Sequence, residues 1–139
     1  MDGRRRVGIP AACSVGVGLI RYLLDSVILI DHLNKIQAAT DYIYRNHNYC
    51  AISVVTRVEV LVPYQGKAAE AVLRLLNSFP SLVIDAEVAD SAAVLRRVFK
   101  WKLPDAFQAA LAEKHVLKLV TRNTRDFPAS QLEWVETPY

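Results

Sequence analysis

Four carboxylates in this sequence stand where chemistry is easily built: Asp25, Glu59, Asp105 and Asp126. Asp25 directly follows the apolar run IRYLL, and Asp126 lies a few residues after LKLV. If both runs are strands of an open α/β sheet, both acids fall on the rim at the strands' carboxyl ends, where such sheets carry their sites. Asp105 follows Pro104 at the start of a helical pattern, and Glu59 sits in VVTRVEVLV. Each acid alone has an ordinary role. Asp25 suits a helix cap, Asp105 suits the positive end of a helix dipole, and Asp126 suits a turn. Together on one rim they would repel each other unless a cation lay among them. Magnesium and manganese are hard cations that prefer oxygen ligands. Such a site can activate water and stabilise the charge on a phosphodiester as it is cleaved. The set therefore points to metal-dependent phosphodiester hydrolysis with one or two ions.

The elements that must position these acids read as alternating strands and helices. Ile20–Leu24 is a short buried strand, and the Asp25-Ser26 pair caps a helix from Val27 to Lys35. A second helix covers Gln37 to Arg45. Ala51–Val55 is rich in β-branched residues and reads as a strand. Thr56 to Val62 either continues it or begins a helix, and in a helix Val55, Val58, Glu59 and Val62 share one face. Lys67–Asn77 is amphipathic, Leu82–Ile84 is a strand, and Ala86–Phe99 and Ala106–His115 are helices, the latter with Pro104 in its first turn. Leu117–Val120 and Trp134-Val135 complete the sheet. The alternation predicts a single layered α/β domain, with a mainly parallel, short-stranded central sheet flanked by helices.

Composition narrows the class. With 139 residues, 53% hydrophobic and 22% charged, the chain is a globular domain rather than a disordered one. The net charge of +3 suits an anionic partner without requiring one. Cys13 and Cys50 form no CxxC, which implies a reducing, cytoplasmic setting, and their spacing with His32, His47 and His115 does not suggest zinc. Arg4, Arg5 and Arg6 look like a signal n-region. However, Gly8, Pro10, Ser14, Gly16 and Gly18 break the apolar stretch behind them, so export is disfavoured and no membrane span is expected. Residues 1–19 are read as a tail outside the domain, disordered or upstream sequence taken in by an early start, and residues 20–139 as the domain.

RYLLDSVILID, AISVVTRVEVL and LPDAFQAALAEKHVLKLVTRNTRDF, in that order, resemble the PIN domain, and within it the VapC-like toxins of bacterial toxin–antitoxin pairs. The resemblance runs from about Ile20 to the C-terminus. It implies a three-layer PIN-like fold and a Mg2+- or Mn2+-dependent ribonuclease, a hydrolase acting on RNA. Asp25, Glu59, Asp105 and Asp126 would be its catalytic metal ligands. It further implies that Ser26 and Thr121 support the acids through hydrogen bonds and that Asn123 lines the site. A homodimer and a cognate antitoxin, with an antitoxin arginine pairing with the acids, are implied as well. The chain departs from the pattern at Val27, where a polar Ser or Asn is common, and at VPYQG after Glu59.

Other readings compete. A catalytically inactive PIN-fold module that binds RNA or protein draws its support from Val27. A receiver-like phosphate domain would use Asp85, for which no lysine is evident. His47 and Cys50 lack an orienting third group for nucleophilic catalysis. Arg122 and Arg125 flank the predicted site and are the best candidates for RNA phosphate contacts, ahead of Arg57, Lys100 and Lys102. Trp101 would either stack on a base or pack in the core. Asp31 is expected to face solvent, and Tyr22, Tyr42 and Tyr44 to pack.

Overall fold

A computed structural model describes residues 19–139. The expected tail, save for Leu19, lies outside the described residues.

Strand β1 (Tyr22–Leu24) ends at Asp25, whose extended backbone and side chain start helix α1 (Ser26–Leu33). Helix α2 (Gln37–Asn46) follows, and a short 3-10 turn (His47–Tyr49) leads into β2 (Cys50–Ser53), which is buried at every residue. The reading of Ala51–Val55 as strand overshoots by two residues. Ser53 is the reason: its hydroxyl oxygen accepts from the Thr56 backbone N–H at 3.1 Å and caps helix α3 (Val54–Leu61). β-branched valines thus begin a helix because the cap supplies the partner that the first turn lacks. Helix α4 (Gly66–Asn77) and strand β3 (Ser81–Leu82) come next. Asp85 then caps helix α5 (Ala86–Phe99). Lys100, at φ 63°, turns the chain into helix α6 (Leu103–His115), which carries Pro104 in its first turn. Strands β4 (Lys118–Val120) and β5 (Val135–Glu136) close the order.

The five strands lie in the order β3-β2-β1-β4-β5, all pairs parallel. Parallel neighbours need long crossovers, which the helices provide. The chain leaves β1 toward β2 on one side and reaches β4 on the other. The end of β1 is therefore the topological switch point of the sheet, the place where open α/β sheets carry their sites. Alternate residues sort the core into two layers. Leu23, Ala51 and Leu119 face Ala92, Ala109 and Leu111 of α5 and α6. Leu24, Ile52 and Val120 face Ile28, Val60 and Leu76 of α1, α3 and α4. The molecule is the expected three-layer α/β domain. Among the described residues no helix is long and apolar enough to cross a membrane.

Candidate active site

Asp25 stands at the switch point, buried, and its backbone N–H extends the ladder by donating to the Val120 carbonyl at 2.9 Å. Three donors hold its carboxylate. The Ser26 backbone N–H (2.8 Å) and Gln108 Nε2 (3.2 Å) donate to Oδ1, and the Thr121 hydroxyl (2.7 Å) donates to Oδ2. Such hydrogen bonds satisfy a carboxyl that is withdrawn from water. Thr121 is thus where the resemblance implied support. Ser26 supports Asp25 through its backbone N–H.

Asp105 lies in the first turn of α6 and is half-buried. Burial pushes its carboxyl up to about 7, and the negative charges of Asp25, Asp126 and Glu59, with a hydrogen bond to Asp126, push the same way. The four acids predicted from sequence therefore share one electrostatic field, although they come from the end of β1, from α3, from α6 and from the turn after β4. Among the described residues no cation forms an ion pair with any of them. Glu59 reaches this field by a different route from the one its sequence suggests. Its helical face is not buried: Val58 and Val62 are 62% and 76% exposed, while Thr56 and Val60 make the inward face of α3.

The turn after β4 is ordered by its own side chains. The Asn123 backbone N–H donates to Thr121 Oγ1 (2.9 Å), and the Asp126 N–H donates to Asn123 Oδ1 (3.3 Å). Asn123 Nδ2 in turn donates to Asp126 Oδ2 (3.2 Å). Trp101 belongs to the core rather than to a base platform. It stacks on Phe99 with centroids 4.4 Å apart, packs against Phe127 and Trp134, and its indole N–H donates to the Asp126 carbonyl at 3.0 Å.

Asp31 corrects an expectation. It is buried, not solvent-facing, because Arg122 Nε donates to its Oδ2 at 2.6 Å and Arg122 Nη2 to its Oδ1 at 3.0 Å. The Tyr139 hydroxyl adds a bond to Oδ2 at 2.7 Å. Arg122 is thus bound to Asp31, whereas Arg125 is exposed on the same turn. Tyr44 is 88% exposed and does not pack, unlike Tyr42, whose hydroxyl donates to Glu136 at 2.9 Å. Asp85 does meet a lysine, Lys114 at 2.8 Å, but as an exposed cap of α5. Cys50 is buried, its thiol pushed up to about 12, and His47 contacts Ser78 instead.

Sequence reasoning missed Gln108, which bridges Asp25 and Thr56 (2.9 Å to Thr56 Oγ1). Its position three residues after Asp105 on a helix was the available signal.

The donor set fits a hard divalent cation: oxygen ligands only, uncompensated by a cation among the described residues. Among those residues no three His, Cys, Asp or Glu side chains are grouped closely enough to hold a metal ion as they stand, so the fit rests on donor type and shared charge.

Known proteins agree with this architecture. The PIN domain family model matches residues 22–130. Ribonuclease VapC10 of Mycobacterium tuberculosis is 32% identical over 124 residues, covering 84% of this chain and 92% of that protein. A toxin-antitoxin complex from Klebsiella pneumoniae contains a chain 35% identical, with a TM-score of 0.74 over 85% of this chain and 98% of that one. DNA-bound VapBC from Salmonella typhimurium shares the fold at a TM-score of 0.67 and 21% identity, over 78% of this chain and 91% of that one. The chain belongs to the PIN-domain family, on its VapC-like branch.

Proposed function

We propose that the chain is a divalent-cation-dependent endoribonuclease that hydrolyses RNA phosphodiester bonds as the toxin of a toxin–antitoxin pair. The observation that supports this reading is that Asp25, Asp126 and Glu59 all bear on Asp105 through their charge, with a hydrogen bond between Asp105 and Asp126. Four separate elements contribute these acids, and among the described residues no cation pairs with them. The similarity to Ribonuclease VapC10 and to a chain of the Klebsiella toxin-antitoxin complex supplies the substrate class and the antitoxin partner.

A bound Mg2+ or Mn2+ supplies Lewis-acid polarisation of the phosphoryl group and a more acidic water. The four acids hold one or two such ions. Ser26, Thr121 and Gln108 fix the rotamer of Asp25, so that its carboxylate is oriented before substrate arrives. Asn123 does the same for Asp126. Arg125 binds a substrate phosphate from the exposed turn. Arg122 combines that contact with its bond to Asp31. The enzyme acts in the cytoplasm as a homodimer.

The test is cleavage of a mixed cellular RNA pool by purified protein with Mg2+, Mn2+ or EDTA, with Asp105→Asn alongside. Cleavage that needs the metal and disappears in the variant is the expected result. Undiminished cleavage by Asp105→Asn would overturn the site assignment. RNA binding without cleavage, indifferent to EDTA, would make the chain a binding module instead.

A further inference from the structure

Gln108 is the least expected residue around the acids. It is 1% exposed, on α6, one turn beyond Asp105. Its Nε2 donates both to Asp25 Oδ1 (3.2 Å) and to Thr56 Oγ1 (2.9 Å), joining α6 to the end of β1 and to the first turn of α3. Its other end, Oε1, is buried without a donor among the described residues. A buried acceptor left unpaired is destabilising. Turning the amide over would aim Oε1 at the Asp25 carboxylate and leave Nε2 in the unpaired position, so the observed orientation is the one Asp25 dictates.

The bonding of Asp25 gives this arrangement a consequence. Oδ1 accepts two hydrogen bonds, from Ser26 and Gln108, which occupy both of its lone pairs. Oδ2 accepts one, from Thr121. Among the described residues one lone pair of the carboxylate then remains for a cation, on Oδ2. Neither acceptor bridged by Gln108 depends on it for pairing. Asp25 Oδ1 keeps the Ser26 N–H, and Thr56 Oγ1 keeps the Ser53 hydroxyl at 3.3 Å. The fold therefore does not need the Gln108 amide, while the orientation of Asp25 does.

We propose that Gln108 is a positioning residue for the cation site: it saturates Oδ1 of Asp25 so that the carboxylate offers a single oxygen, Oδ2, as ligand. This rests on the function proposed above. It also assigns a role to the orphaned Oε1, which is the stability forgone to aim Nε2.

The experiment is a Mn2+ titration followed by electron paramagnetic resonance, with thermal melting in EDTA, on the full chain and on Gln108→Leu and Gln108→Met. Both substitutions keep the volume close to that of glutamine. The expected result is a Mn2+ affinity lowered by roughly 10–100-fold, the usual consequence of losing a residue that orients a ligand, with melting in EDTA unchanged or raised. Mn2+ affinity within twofold of the parent in either variant would overturn the proposal. So would a drop in melting temperature in both variants that accompanies the affinity loss, since that is the signature of a merely structural residue. No Mn2+ binding by the parent chain would instead remove the proposed function itself, and this inference with it.

Discussion

At the scale of single residues, the site is a contrast between one acid held by three donors and one whose carboxyl is pushed up by burial and neighbouring charge. Asp25 receives three donors, and Asp105 faces three other carboxylates. Asp105→Asn removes a charge from a crowded field, so cleavage should vanish while the metal-free protein melts at or above the parent temperature at neutral pH. Calorimetry in EDTA beside the RNA assay checks both halves, and a clearly lowered melting temperature would contradict the crowding. Thr121→Val takes from Oδ2 of a buried carboxylate its only donor among the described residues. A loss of about 1–3 kcal/mol in urea unfolding is expected, because a hydrogen bond to a charged buried group is missing. Val27, where the family pattern favours a polar residue, packs partly buried against the α1–α4 layer of the core. Its change to Ser therefore adds a polar group beside Asp25 at some expense in packing.

At the scale of elements, Asp31 and Arg122 lock α1 to the turn that carries Asn123 and Asp126, with Tyr139 as a third member. Arg122 is the main reason the Asp31 carboxyl is pulled below its ordinary 3.8, although burial opposes the shift. A depressed folded value means that Asp31 stabilises the protein above the unfolded value. That contribution is lost as pH falls from about 3.8 through the lower folded value. Asp31→Asn should therefore lower stability by about 1–3 kcal/mol at pH 7. It should also shrink the difference between the two proteins as pH approaches 2. Melting curves from pH 2 to 7 measure this, and a constant gap across the range would exclude the lock. Ser53 governs the neighbouring junction. Ser53→Ala removes the cap of α3 and should cost about 0.5–2 kcal/mol, read from the urea midpoint. Because α3 carries Glu59, cleavage should fall as well.

At the scale of the molecule, the acids open on a turn where Arg125 is exposed and Arg122 is tied to Asp31. If Arg125 binds a phosphate of single-stranded RNA, Arg125→Ala should lower the slope of log affinity against log salt by about 0.7. Arg122→Ala should in addition destabilise the fold. Fluorescence anisotropy with EDTA-treated protein, across a salt series, separates the two. An unchanged slope for Arg125→Ala would place the RNA elsewhere. Light scattering tests the homodimer, and a monomer at all concentrations would remove it.

The sequence by itself determined the kind of elements and their order. Short apolar or β-branched runs and period-3.6 patterns survive translation into structure because each is a local statement about how an element meets the core. Ala86–Phe99 is a helix with the bounds its pattern predicts, and the parallel sheet follows from alternation. Asp25 and Asp105 stand at element ends and Asp126 in a turn, where local chemistry marks them, whereas Glu59 lies inside α3 and stands out only as a carboxylate on a helical face. Other features depended on contacts across the chain. Asp31 reads as a surface acid until Arg122, 91 residues away, is brought onto it. Tyr44 reads as core until α2 turns it outward, and Glu59 sits on an apolar face that proves exposed. Gln108 is an ordinary helix residue until the close of β1 sets Asp25 against it, 83 residues apart. Pattern reports the faces of an element, but only the packed sheet decides which distant partner a buried polar group must satisfy, because that group has no water to satisfy it instead.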